Sequence, residues 1–208
     1  MYNKITLLTA DIVKKAVSGL TLMTIFTLFW TWIAYTGLSN SAYFGLLGVF
    51  PLACMFFIYH AFQLRKAAQF LPSLPLNTNQ EEEKKKRRLF AIICTAEGVG
   101  IAIAINIVIN LHHPELQVPA MALVVGLHFF PLAKLFKRKM DYYLGAWSTL
   151  VALTAIVLSL NKTFDHQATL SFTGIGLAIS TTFYGINMIL NTWKVKADEF
   201  GQSDIAAN

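Results

Sequence analysis

The sequence predicts an all-α polytopic membrane protein: six transmembrane helices arranged as three helical hairpins, with N and C termini cytoplasmic. Three observations predict it. Hydrophobic residues make up 55% of the chain and charged residues only 13%, about half the roughly 25% of a soluble protein. Six runs supply the roughly 20 apolar residues that a helix needs to cross the hydrocarbon core. Finally, 16 of the 17 Lys and Arg residues fall in connections on one side, and the positive-inside rule makes that side the cytoplasm.

The chain opens with a segment, 1–15, in which Ile5, Leu8, Ile12 and Val13 share one helical face while Lys4, Asp11, Lys14 and Lys15 lie elsewhere. That pattern suits a short helix lying on the cytoplasmic membrane surface. The six-helix domain runs from 16 to 192, with spans at about 16–37, 41–61, 89–111, 118–136, 142–160 and 169–192. The first run is too long for the core of a signal peptide and is kept as a span. Trp30, Trp32 and Tyr35, facing Tyr43 and Phe44 across a short turn, are expected to anchor one interface. Tyr142, Tyr143, Trp147 and Trp193 are expected to mark the other.

The cytoplasmic loop 62–88 begins extended at Pro72 and Pro75 and ends in the run Glu81–Arg88. Glu81 with Lys85, Glu82 with Lys86 and Glu83 with Arg87 are spaced i,i+4 in the favoured order, so the run reads as a solvated extension of the third span. Its basic half would attract anionic lipid headgroups. No aromatic platform accompanies these charges, which argues against nucleic acid as a partner. The bilayer and its headgroups are therefore the expected partners, and residues 193–208 form a cytoplasmic tail.

An internal repeat relates two spans. Leu47–Phe56 and Leu127–Phe136 agree at six of ten positions, including Pro51 and Pro131. Gly19 and Gly98 stand at similar offsets in the preceding spans. Spans one-two and three-four thus read as parallel copies of one hairpin. Each Pro frees the carbonyl four residues earlier, those of Leu47 and Leu127, and is expected to kink its helix. Two such kinks would leave a shared cavity near the cytoplasmic half.

The stretch Gly126-Leu127-His128-Phe129-Phe130-Pro131-Leu132-Ala133, followed by Tyr142, Tyr143 and Gly145, resembles a pattern in small uncharacterised bacterial multi-pass membrane proteins. The resemblance covers about one tenth of the chain. It implies a bacterial origin, hence the plasma (inner) membrane, and no particular activity.

Polar groups inside a span need an explanation, because a central charge costs about 2.5–3.5 kcal/mol on insertion scales. Glu97 lies about 12 Å into the third span at 1.5 Å per residue. His128 lies at a similar depth in the fourth, so antiparallel neighbours would bring the two together to hold or pass a proton. Cys94, Gly98 and Ala102 form an i,i+4 row of small residues that Asn106 and Asn110 continue. Gly174, Ala178 and Thr182 form a similar row in span six, with Asn187 and Asn191 beyond. Such rows let helices approach closely while amides bond across. Glu97, His128, Asn106 and Asn187 are therefore the candidate polar site.

Other constellations are weaker. His60 and His128 lie on different spans, but their heights disagree, against haem. His112, His113 and Glu115 read as an exposed loop. The cysteines, Cys54 and Cys94, read as small packing residues. No catalytic motif stands out, and no cofactor or metal is implied. Two functions remain open. One is a bundle that binds or moves a small solute with proton coupling through Glu97 and His128. The other is a non-transporting subunit, sensor or assembly factor whose polar residues only fix helix positions.

Overall fold

The computed structural model describes residues 10–38, 44–70 and 80–206. Among them the chain is all helix: α1 (Ala10–Gly37), a short α2 (Phe44–Leu47), α3 (Val49–Ala67), α4 (Gln80–Asn110), α5 (Gln117–Phe136), α6 (Lys139–Leu160) and α7 (His166–Ala206). A single 3-10 turn, Pro114–Leu116, precedes α5. The segments Val13–Gly37, Glu81–Asn110, Pro114–Phe136, Lys139–Leu160 and His166–Thr192 are long and apolar enough to cross a membrane. Five such helices make this a multi-pass membrane protein.

Local chemistry explains several boundaries. The Asp165 carboxylate accepts from the Ala168 backbone N–H at 2.7 Å and so caps the start of α7. His112, Lys137 and Lys162 adopt left-handed backbone, with φ of 60°, 55° and 56°, each just past a helix end. That conformation turns the chain out of the helix and lets the last carbonyls be satisfied; after α5, the Lys137 N–H bonds Ala133 O.

Packing organises the helices around α7. It lies against α1 over the most extensive contact of any helix pair and also touches α3, α5 and α6. The two helices run antiparallel. Gly19 of α1 faces Met188 of α7, and Gly37 faces Gln167 and Ser171. Thr27 Oγ1 donates to Thr181 Oγ1 at 2.8 Å midway between. One core cluster joins Trp30, Ala34, Leu47, Phe50, Val151 and Leu177. A second joins Val13, Leu20, Phe57, Leu64 and Ile189. α3 therefore accompanies α1 from the level of Ala34 down to that of Val13.

α4 differs from the rest. Among the described residues its backbone packs only against α5 and the 3-10 turn, a side-chain ion pair from Glu83 to Lys15 links it to α1, and its apolar stretch buries no residue.

Several expectations are corrected here. No separate surface helix precedes the first span from residue 10 onward, because 10–15 continue directly into α1; Ile5 and Leu8 lie outside the described residues, as do Tyr43, Pro72 and Pro75. Trp30 is no interfacial anchor: only 2% of it is exposed, since α7 covers it, whereas Trp32 and Tyr35 are exposed. Pro51 sits beside an interruption of its helix. The helix breaks at Gly48, and Pro51 is the third residue of α3, where its missing N–H costs nothing. Pro131 does lie inside α5. Both prolines are exposed, and α3 does not touch α5, so they do not frame a shared cavity. α7 continues as helix through most of the expected tail, to Ala206.

Candidate functional site

α4 and α5 form an antiparallel pair held along one stripe. Phe90 meets Phe136 near one end, with ring centroids 5.8 Å apart. Gly100 opposes Val124 further along, leaving room for close approach. Between these contacts Glu97 Oε1 lies 3.2 Å from His128 Nδ1. The two residues that the sequence singled out are therefore brought together.

The geometry assigns the histidine's proton. His128 Nδ1 also lies 2.6 Å from the Val125 backbone oxygen. A carbonyl only accepts, so Nδ1 carries a hydrogen that it donates to Val125 O, with Glu97 Oε1 beside it. That leaves Nε2 as the position that gains or loses a proton. The Glu97 and His128 side chains are 17% and 14% exposed, so the pair is screened from surroundings without being sealed. Phe129 lies beside the imidazole, with ring centroids 4.4 Å apart.

The two asparagines do not join this pair. Asn106 faces outward and its amide donates to Ala102 O of its own helix at 2.8 Å. Asn187 accepts from Asn191 at 3.0 Å, again within one helix. The structure thus brings Glu97 and His128 together without Asn106 or Asn187. Each amide is a local i,i+4 bond, which satisfies a polar group facing lipid but ties no helices together.

The small-residue rows also part company. Gly174 sits against the backbone of Trp30 and Ala34, and Ala178 is fully buried. A Cβ placed on Gly98 would meet nothing within 4 Å, and Ala102 is exposed. Cys54 is buried, with Sγ 3.7 Å from Thr24 O; Cys94 is half-buried.

Elsewhere, His113 Nδ1 pairs with Glu115 Oε1 at 2.8 Å on the surface. His60 is buried beside Thr192, 3.5 Å from its hydroxyl. Of the charge pairs expected in 81–88, Glu82 bonds Lys86 at 2.8 Å, while Glu83 turns to Lys15 of α1 at 3.3 Å. A groove of about 470 Å³ between α3 and α7, lined by Val49, Leu52, Phe56, Phe57, Ile186 and Leu190, is apolar and suits acyl chains better than a polar solute.

Sequence reasoning missed a polar interior around α7. Thr24, Thr27, Thr31, Ser148, Ser180 and Thr181 are all buried. Ser148 Oγ lies 3.1 Å from Ser180 Oγ, and Trp147 Nε1 donates to Gly176 O at 2.9 Å. Asp141 is buried as well. The available signal was the run of hydroxyl residues 24, 27 and 31 at helical spacing, on an otherwise apolar span.

No family model, curated protein or solved structure matches the chain.

Proposed function

We propose that this chain crosses the membrane six times, with both ends on the cytoplasmic side, and that Glu97 and His128 bind and pass a proton, with or without a small solute. Three observations support six crossings. α1 and α7 run antiparallel, which an odd number of crossings would not give. α3 accompanies α1 through both core clusters; it misses the apolar threshold of the other five because it ends in Gln63, Arg65 and Lys66. Lys15 and Glu83 form an ion pair, so the chain leaves and returns to one side between them. The positive-inside rule then assigns that side to the cytoplasm, and the bacterial plasma membrane is the proposed location.

The 3.2 Å contact between Glu97 and His128 carries the functional reading. An ionisable pair within membrane-spanning helices costs insertion energy, and proton relays are a common reason to keep one. His128 Nε2 is the exchanging position, and Glu97 offsets the imidazolium charge when it forms.

A second reading rests on the placement of α4. Because the backbone of α4 packs only against α5 and the turn beside it, the pair also serves as a latch for an edge helix, as a non-transporting subunit or sensor would require. Purified protein in vesicles with a trapped pH-sensitive dye separates the two. Under an imposed membrane potential, wild type is expected to carry protons, and Glu97→Gln and His128→Ala to lose that flux while remaining folded. Flux at wild-type rate in Glu97→Gln would contradict the relay, and no flux in wild type would leave the latch.

A further inference from the structure

The interface between α6 and α7 ends in a carboxyl group that the fold leaves half satisfied. Asp141, in the first turn of α6, is only 2% exposed. It begins the buried face of that helix, which continues through Leu144, Ser148, Val151, Ala155 and Ser159. The Tyr184 hydroxyl of α7 stands beside its carboxyl group. Arg138, just before α6, donates from Nη1 to the same hydroxyl at 3.1 Å. The remaining oxygen, Asp141 Oδ1, is sealed from solvent and has no hydrogen-bond partner.

We propose that Asp141 is a second proton-binding site, entered from the end of the bundle where α6 begins and independent of Glu97 and His128. An ionised carboxylate buried with one oxygen unsatisfied bears a desolvation penalty that protonation removes. No larger occupant reaches a sealed oxygen without the helices separating. Tyr184 makes both states tenable. When Asp141 is ionised, the phenol donates to it; when Asp141 is protonated, its O–H donates to the phenol oxygen, which also accepts from Arg138. Arg138 remains charged throughout. The proton comes from water and returns to water, and no other bond changes.

Tyr184 from α7 and Arg138 from the turn, bonded to each other, are the ionisable groups beside Asp141. The neighbouring bases Lys134, Lys137 and Lys139 are exposed. Asp141 is thus set apart from the basic surface around it by burial.

Infrared difference spectroscopy of the full chain during a pH titration tests the proposal. As the pH falls, the chain's carboxyl groups develop carbonyl stretches, and one component of that band is expected to be missing in Asp141→Asn and present in Glu97→Gln. Tyr184→Phe is expected to move its midpoint by about one pH unit, as loss of one hydrogen bond to a carboxylate would. A titration in Asp141→Asn that loses no component of the wild-type band, or a component lost only in Glu97→Gln, would overturn the assignment. Should Asp141→Asn not fold, an unmoved midpoint in Tyr184→Phe would overturn it equally.

Discussion

Two helices of this protein carry the same kind of small-residue row, and the rows have opposite fates. In α7, Gly174 and Ala178 bring the backbone against that of α1, where a Cβ on Gly174 would lie 2.5 Å from Ala34 N and 2.8 Å from Trp30 O. In α4, Gly98 and Ala102 face outward and nothing lies within 4 Å of a Cβ on Gly98. The difference teaches that such a row records how closely a helix can be approached, and a partner must be found elsewhere. Around α7 the partner brings hydroxyls, so the seam combines close packing with interhelical hydrogen bonds, the two attractions that remain between helices in lipid. Along α4 the seam rests on two rings, Val124 against Gly100, and one ionisable pair.

The largest expected effect separates the rows directly. Gly174→Leu forces a side chain into the backbone of α1, and neither strand of that contact can rotate away. It is expected to cost about 3 kcal/mol, the upper part of the usual overpacking range, measured by unfolding in detergent micelles. Gly98→Leu is expected to change stability by less than about 0.5 kcal/mol, as substitutions at open positions do. Equal losses at the two glycines would break the comparison and require a partner on α4.

Next in size is the ionisable pair. Glu97→Ala removes the charged contact to His128 but leaves its Nδ1–H bonded to Val125 O, and is expected to cost about 1 kcal/mol. Glu97→Gln keeps an acceptor oxygen and is expected to lose less than about 1 kcal/mol. A Glu97→Gln loss as large as that of Glu97→Ala would mean that the charge itself holds α4 in place. The hydroxyl seam should give a smaller value: a double-mutant cycle of Thr27→Val and Thr181→Val is expected to return a coupling of about 0.6 kcal/mol. A coupling near zero would assign that seam to packing alone.

The smallest effect concerns the link between α1 and α4. Lys15 and Glu83 are 64% and 43% exposed, so removing either is expected to cost at most about 0.5 kcal/mol, with the loss fading at high salt. A larger, salt-independent loss would show that α4 is held to the bundle from that end as well as by α5.

The helices themselves were legible because lipid imposes a simple demand. Each crossing needs a long apolar run with its backbone bonds satisfied internally, and α4 and α6 begin and end within a few residues of expectation. The Glu97–His128 contact was legible because ionisable groups are rare in such runs and their depths can be counted. Facing was not legible. When the surroundings are as apolar as the interior, a span has no polar face to show which side is buried. Trp30 and Trp32 therefore read alike, although one is covered by α7 and the other exposed. The same ambiguity hid the outward course of Gly98 and Asn106. Asp141 was missed for a different reason: beside Lys137, Arg138 and Lys139 it reads as one more loop charge, and only the packing of α6 on α7 buries it.

The side from which Glu97 and Asp141 are reached depends on six crossings, and one labelling experiment decides that. In a chain with Cys54 and Cys94 replaced by Ser, single Lys15→Cys, Lys86→Cys and Lys162→Cys variants are exposed to a membrane-impermeant thiol reagent in intact cells. Six crossings predict that Lys162→Cys reacts at once, while Lys15→Cys and Lys86→Cys react only after permeabilisation. Lys15→Cys and Lys86→Cys reacting from opposite sides would mean that α3 does not cross, and would contradict the topology on which both proposed proton sites are placed.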